Sequence, residues 1–260
     1  MPDINADGCA IHVEVEGPER APVLMLSNSL GADLTMWDEQ VAPFTRHFRL
    51  VRYDCRGHGK SGVPKGPYST ERLGRDVLAI LDGLGIATIN WCGLSMGGMV
   101  GQWLGANAAG RIDKLILSNT ACYYPDKQIW ADRIKFARNN GIAVVAGATM
   151  ERWFSKDFRQ HAPASIARMT EMFVKTDIEG YLSCCEAIRD MDHRALLPKI
   201  KAPTLVIAGR LDPATPLALN EFICDHIPGA QLLTLEAAHI ANVEQPQAYA
   251  DAVLGFLLSK

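Results

Sequence analysis

Apolar residues follow two rhythms along the chain. Residues 11–15 alternate apolar and polar with the two-residue period of a half-exposed strand. Residues 23–26, 48–53, 89–92, 115–117, 205–208 and 232–235 are instead short apolar-rich runs bounded by Gly, Pro, Asn, Asp or Ser. Runs of that length and punctuation predict strands buried on both faces, as in a parallel sheet. Between them the spacing becomes helical. From Thr70, with Glu71 at the positive end of the helix dipole, Leu73, Val77, Ile80, Leu81 and Leu84 share one face, and Gly85 marks a stop. Further helices are predicted after Ser95, after Pro216 with Leu219, Phe222 and Ile223, and from Pro246 onward with Tyr249, Val253 and Phe256 facing inward. This alternation predicts an α/β fold, a mostly parallel sheet with helices on both faces.

The alternation fails between residues 122 and 197. Helical patterns at 129–138, 143–154, 164–173 and 180–189 follow one another without a strand, and strand character returns only after Lys201-Ala202-Pro203. A helical insertion between two strands of a parallel sheet lies above the strand ends, where such sheets bind ligands. The expected organisation is a core of residues 1–121 and 198–260 with a helical lid of residues 122–197. No internal repeat or low-complexity tract interrupts it.

Composition narrows the possible functions. An apolar fraction of 48% is enough to offset chain entropy, which excludes a disordered chain. With 26 Lys+Arg against 29 Asp+Glu, no excess of cations exists to displace counterions from phosphates, so no nucleic-acid partner is expected. No apolar run reaches the ~18–20 residues that span a bilayer, so no membrane partner is expected either. The N-terminus lacks the basic start and apolar centre of an export signal. The seven cysteines, without a C-x-x-C pair, fit reduced thiols. Both features point to the cytoplasm. No His or Cys spacing suggests a metal, and nothing sets an oligomeric state.

The chemistry begins at Gly93-Leu94-Ser95-Met96-Gly97-Gly98, between the run 89–92 and a helical pattern. This is the strand–turn–helix context of a nucleophile elbow. Its strained turn needs the small Gly93 and Gly97, Gly98 lets the helix pack closely, and the Ser95 hydroxyl stands above the sheet at the helix's positive end. A serine hydroxyl needs a base. In the chain order serine, acid, histidine that such elbows use, His12, His47 and His58 come too early. His161 and His193 fall in the lid, and His226 near a helix C-terminus, where a structural role suffices. His239, on the loop leaving the last predicted strand, is the expected base. Asp212, beyond strand 205–208 and Gly209, is the expected carboxylate that fixes its tautomer, with Asp126 and Glu236 as alternatives. Two backbone N–H groups are expected to hold the developing oxyanion: that of Met96, and that of Leu30 in the loop 27–31, which Asn28 and Ser29 brace or share in. Residues 54–61 lack phosphate-loop spacing. They read as a turn in which Asp54 and Arg56 hold neighbouring loops together.

Taken together these residues resemble the α/β-hydrolases, and more closely the 3-oxoadipate enol-lactonases of the β-ketoadipate pathway of aromatic-compound catabolism. Three stretches carry the resemblance: Leu26-Ser27-Asn28-Ser29-Leu30-Gly31 followed by Met36-Trp37, Arg52-Tyr53-Asp54 with Arg56-Gly57-His58-Gly59, and Cys92-Gly93-Leu94-Ser95-Met96-Gly97-Gly98. Many α/β-hydrolases carry His-Gly where this chain has Asn28-Ser29, and the Asn-Ser form points to the lactonases. The resemblance spans nearly the whole chain, including Glu179-Gly180-Tyr181 and Glu186-Ala187-Ile188 in the lid.

It implies a two-step reaction without a cofactor. Ser95 attacks the lactone carbonyl as His239 takes its proton, Leu30 and Met96 hold the oxyanion, and water then releases 3-oxoadipate. Such a substrate carries a free carboxylate. In the lid, Trp130, Arg133, Ile134 and Ala137 share one helical face. Trp130 and Arg133 are therefore expected to face the pocket, with Arg133 paired to that carboxylate. The same triad also suits a general carboxylesterase, another lactone hydrolase or, in a different class, a non-catalytic ligand receptor. Haloalkane dehalogenases and epoxide hydrolases of this fold need a carboxylate at the elbow and dienelactone hydrolases a cysteine. Ser95 stands there instead, and Cys92 comes too early.

Overall fold

Short apolar runs become central strands because a backbone buried on both faces can satisfy its N–H and C=O groups only by pairing with neighbours. The computed structural model describes residues 3–259. In chain order they form β1 (Ile4–Ala6), β2 (Cys9–Ile11), β3 (Val13–Glu16), β4 (Val23–Ser27), α1 (Asp38–Phe44), β5 (Arg49–Tyr53), α2 (Thr70–Gly83), β6 (Ile89–Leu94), α3 (Met96–Asn107) and β7 (Ile112–Ser118). Next come α4 (Gln128–Asn140), α5 (Ile142–Trp153), α6 (Lys156–His161), α7 (Pro163–Val174) and α8 (Ile178–Asp190). The chain closes with β8 (Thr204–Gly209), α9 (Leu217–His226), β9 (Gln231–Leu235), α10 (Ala241–Glu244) and α11 (Pro246–Leu258).

The main sheet has seven strands in the order β3-β5-β4-β6-β7-β8-β9. Only the β3–β5 pair is antiparallel. Strands β6 and β8 are buried along their whole length, as their apolar-rich runs require. Helix α3 lies against β6 and β7, α9 against β8, and α11 against β9.

The expected strand over 11–15 is broken at His12. β2 pairs with β1 in a separate small sheet, and β3 joins the main sheet. The alternation continues through the break, so the change of sheet leaves no mark in the sequence. The short polar helix α6, which Ser155 caps through a 3.2 Å bond from the Phe158 N–H, has no apolar stripe to reveal it. In α11, Tyr249, Val253 and Leu257 are buried, whereas Phe256 is only half-buried beside the Lys114 ammonium.

The predicted turn after β5 behaves as a clamp. Asp54 accepts from the N–H groups of Leu34 and Lys60, both at 2.8 Å. Arg56 forks onto the buried Asp76 with two bonds of 2.5 Å. All the inserted helices fall between β7 and β8. Their two ends meet where Tyr123 pairs with Asp192 and the His193 N–H donates to the Cys122 carbonyl at 2.7 Å. The inserted segment is seated on the sheet unit rather than hung from it. Gly57 and Gly180 pack backbone on backbone, where any Cβ would collide, and the Ile240 N–H donates to the Trp153 carbonyl.

Two buried histidines lock this arrangement in neutral form. The Gln102 amide donates to the Ala121 carbonyl, so its oxygen accepts from His193 Nδ1–H at 3.2 Å, and His193 Nε2 accepts from the Thr70 hydroxyl at 2.8 Å. Burial lowers the pKa of both His193 and His58 to about 4. A ring that is neutral when folded but takes up a proton on unfolding stabilises the fold above its ordinary pKa, and that stability is lost as pH falls towards the lowered value. Between pH 7 and pH 5 the expected loss is about 2 kcal/mol per ring. Urea unfolding of wild type and His193→Gln at the two pH values isolates one ring. Wild type should lose about 2 kcal/mol more than the variant, and identical pH dependence would contradict the assignment.

Candidate active site

Ser95 leaves the end of β6 in a conformation few side chains adopt, with φ 58° and ψ −114°. Its N–H donates to the Ser118 carbonyl at 2.8 Å, and its carbonyl accepts from the Thr120 hydroxyl at 2.7 Å. The glycines around it are dictated by contact. A Cβ on Gly93 would strike the Gly97 carbonyl, and one on Gly97 the Ser27 backbone. Ser95 therefore stands at the start of α3 with its hydroxyl held over the sheet edge.

His239 lies on the loop between β9 and α10, and Asp212 on the loop that leaves β8. His239 Nδ1 is 2.8 Å from Asp212 Oδ2, and its Nε2 is 2.9 Å from Ser95 Oγ. A carboxylate only accepts, so Nδ1 carries the proton and Nε2 is left to accept from the serine hydroxyl. The three residues expected from the sequence thus form one hydrogen-bonded chain. The alternatives do not reach it. Asp126 is exposed and accepts from the Gln128 N–H, and Glu236 is exposed and paired with Arg210.

Asp212 is buried, and its charge is held by five donors. Oδ1 accepts from the N–H groups of Ala214 and Thr215, and Oδ2 from the Thr215 hydroxyl, Asn119 Nδ2 and His239. Burial acts to raise its pKa. The His239 charge and the hydrogen bonds from His239 and Thr215 outweigh that and hold the carboxyl below its ordinary value. Asn119 was not anticipated from the sequence. It follows β7 with φ 45° and also donates to the Ala238 carbonyl at 3.1 Å, so one side chain fixes both the acid and the histidine loop. Its signal was its place at the end of a central strand, next to Ser118.

The loop after β4 is tied to the elbow by the Gly97 N–H, which donates to the Asn28 carbonyl at 3.0 Å. Asn28 braces the loop through bonds to the Tyr53 carbonyl and from Trp37 Nε1, both 2.9 Å, and the Ser29 N–H meets Met36 Sδ at 3.4 Å. Among the described residues, the N–H groups of Leu30 and Met96 have no acceptor.

In the inserted helices, Trp130, Ile134 and Ala137 bury one face of α4 as predicted. The Arg133 guanidinium stacks 5.2 Å from the Trp130 ring centroid, and its Nε donates to the Tyr181 hydroxyl at 2.6 Å. Among the described residues it meets no carboxylate. A second cation, Arg152, was missed. It is half-buried, and burial and then the charge of Arg133 lower its pKa. Tyr124 packs edge-on against Trp130 at 5.3 Å; burial pushes its hydroxyl pKa up, Asp212 adds to the rise and Arg133 opposes it.

The fold also gathers Cys55, His58 and Cys184, although nothing in their spacing marks a cluster. Both His58 nitrogens are already engaged, by the Gly31 N–H and the Arg56 carbonyl, so the ring has no lone pair left for a metal ion.

A family model described as "alpha/beta hydrolase fold" matches residues 22–246. The chain is 41% identical to "3-oxoadipate enol-lactonase 2" of Acinetobacter baylyi, over 96% of this chain and 94% of the relative. It is 37% identical to "3-oxoadipate enol-lactonase 1" of the same organism, over 98% and 96%. Among solved structures, the enol-lactonase from Burkholderia xenovorans LB400 superposes with a TM-score of 0.97 at 43% identity, covering 99% of this chain and 100% of that one.

If the relay does the chemistry, Asp212→Asn should lower kcat on p-nitrophenyl acetate by about 10³–10⁴-fold, because the amide favours the wrong histidine tautomer. Asn119→Ala, which leaves four donors on the acid, should cost roughly tenfold. A loss below tenfold in Asp212→Asn would contradict the relay.

Proposed function

Because the chain belongs to the α/β-hydrolase family, and within it to the group of the 3-oxoadipate enol-lactonases, we propose that it opens the ring of 3-oxoadipate enol-lactone to give 3-oxoadipate. The observation that carries this reading is the hydrogen-bonded chain Ser95–His239–Asp212, and it is joined by Arg133 on α4, which among the described residues has no carboxylate partner.

Ser95 Oγ attacks the lactone carbonyl as His239 Nε2 takes its proton, and Asp212 stabilises the imidazolium. The N–H groups of Leu30 and Met96 receive the oxyanion. Collapse of the tetrahedral intermediate breaks the ring C–O bond, and the departing enol oxygen takes the proton back from His239. The enol tautomerises to the ketone, which draws the ring-opening forward. Water, deprotonated by His239, then attacks the acyl-Ser95 ester and releases the second carboxylate.

Residues 122–197 act as a lid on the core of residues 1–121 and 198–260. The pairing of Cys122 with His193 at the neck of the insertion supports this, as does the bond from Ile240, beside the triad histidine, to Trp153. Trp130 and Arg133 form the part of the lid that meets substrate. The Arg133 fork suits a carboxylate, and its stacking on Trp130, which packs edge-on against Tyr124, supports that placement. Among the described residues no helix is long and apolar enough to cross a membrane. Seven unpaired cysteines support a reducing, cytoplasmic setting.

Wild type should open the anionic enol-lactone with a kcat/KM well above that for neutral p-nitrophenyl esters. The reverse preference would favour a general carboxylesterase. Arg133→Ala should lower kcat/KM for the anionic lactone by about 10–100-fold, the worth of one charged hydrogen bond, and leave the neutral esters within about twofold. An equal loss on both substrates would remove Arg133 from carboxylate recognition.

A further inference from the structure

The chemistry assigned to Leu30 depends on where its N–H points, and two consecutive peptide planes set that direction. The Ser29–Leu30 plane carries the Leu30 N–H. It is held at its other end, where the Ser29 carbonyl accepts from the Ala32 N–H at 3.1 Å. The Leu30–Gly31 plane is held through the Gly31 N–H, which donates to His58 Nε2 at 2.9 Å. With both planes fixed, φ and ψ of Leu30 have no freedom and its N–H stays aimed away from the loop.

Gly31 adopts φ 80°, and a Cβ there would strike the Phe173 ring. Its carbonyl accepts from the Thr176 hydroxyl at 3.2 Å. The His58 ring is fixed in turn. Its Nδ1 lies 3.2 Å from the Arg56 carbonyl, and the Arg56 side chain is forked onto the buried Asp76. A carbonyl and an N–H on opposite sides of the ring permit one neutral tautomer, with the proton on Nδ1 and the lone pair on Nε2. Burial keeps the ring neutral by lowering its pKa to about 4.

We propose that His58 is a positioning residue of the oxyanion site: the Nε2 lone pair grips the Gly31 N–H and thereby aims the Leu30 N–H at the carbonyl oxygen of the substrate. This rests on the assignment of Leu30 as an oxyanion donor. It gives the turn after β5 a part in the reaction although His58 touches no reacting atom. The path runs from Asp76 through Arg56 and His58 to Gly31 and Leu30.

The test uses p-nitrophenyl acetate, which needs the oxyanion site but no carboxylate recognition. His58→Phe keeps a planar ring and removes the acceptor. Its kcat should fall 10–100-fold, below the 10²–10³ of losing a donor outright, with KM within about twofold. The affinity for phenylboronic acid, which forms a tetrahedral adduct on Ser95, should fall by the same factor. His58→Gln, which offers a carbonyl oxygen in place of the lone pair, should recover kcat to within about fivefold of wild type. A folded His58→Phe with wild-type kcat and boronate affinity would overturn the proposal, as would a loss confined to KM. A second measurement needs no variant. Nitrogen NMR of the wild-type protein should find His58 protonated on Nδ1 alone, and a proton on Nε2 would overturn the proposal equally. Failure of the lactone reading appears elsewhere, as wild type that hydrolyses p-nitrophenyl acetate but no anionic lactone.

Discussion

Parallel pairing of β6, β7, β8 and β9 is the constraint on which the site depends. In a parallel sheet every strand ends at the same edge, and the register fixes which residues leave together. Leu94 pairs with Ser118, Ser118 with Ile207, and Gly209 with Leu235. The next residues out are Ser95, Asn119, the Asp212 loop and the His239 loop. A slip of one residue would turn the buried sides of these strands over. The packing of β6 and β8, buried along their whole length, therefore holds in register the polar side chains that leave the strand ends.

Burial then turns proximity into chemistry. An ionised carboxylate away from water is costly unless donors replace its hydration. Asp212 has those donors from its own loop, from Asn119 and from His239. The carboxylate selects the histidine tautomer, and the tautomer leaves Nε2 free for the Ser95 proton. The inserted helices add the opposite electrostatic situation. Arg133 and Arg152 are both half-buried there, and among the described residues neither pairs with a carboxylate.

Much of this was legible in the sequence because it rests on local rules. Gly93, Ser95 and Gly97 declare the elbow through steric need, and His239 and Asp212 declare themselves by following apolar runs at the correct end. The four longer inserted helices announce themselves by their stripes. The remainder depends on contacts between distant segments. Nothing near His12 reveals a change of sheet, because the alternation is the same on both sides of it. Asn119 looks like any turn asparagine until β8 and β9 bring Asp212 and Ala238 to it. Arg152 and Tyr124 acquire meaning only when α4 and α5 pack, and His58 only when the loop after β4 folds over it.

The account stands on the activation of Ser95 by His239. Intact and peptide mass spectrometry after brief exposure to a fluorophosphonate reads that activation at the atom concerned. Wild type should gain one adduct per chain, on the peptide containing Ser95, and His239→Ala should remain essentially unlabelled over the same interval. Adduct on another residue, or equally fast labelling without His239, would contradict the account.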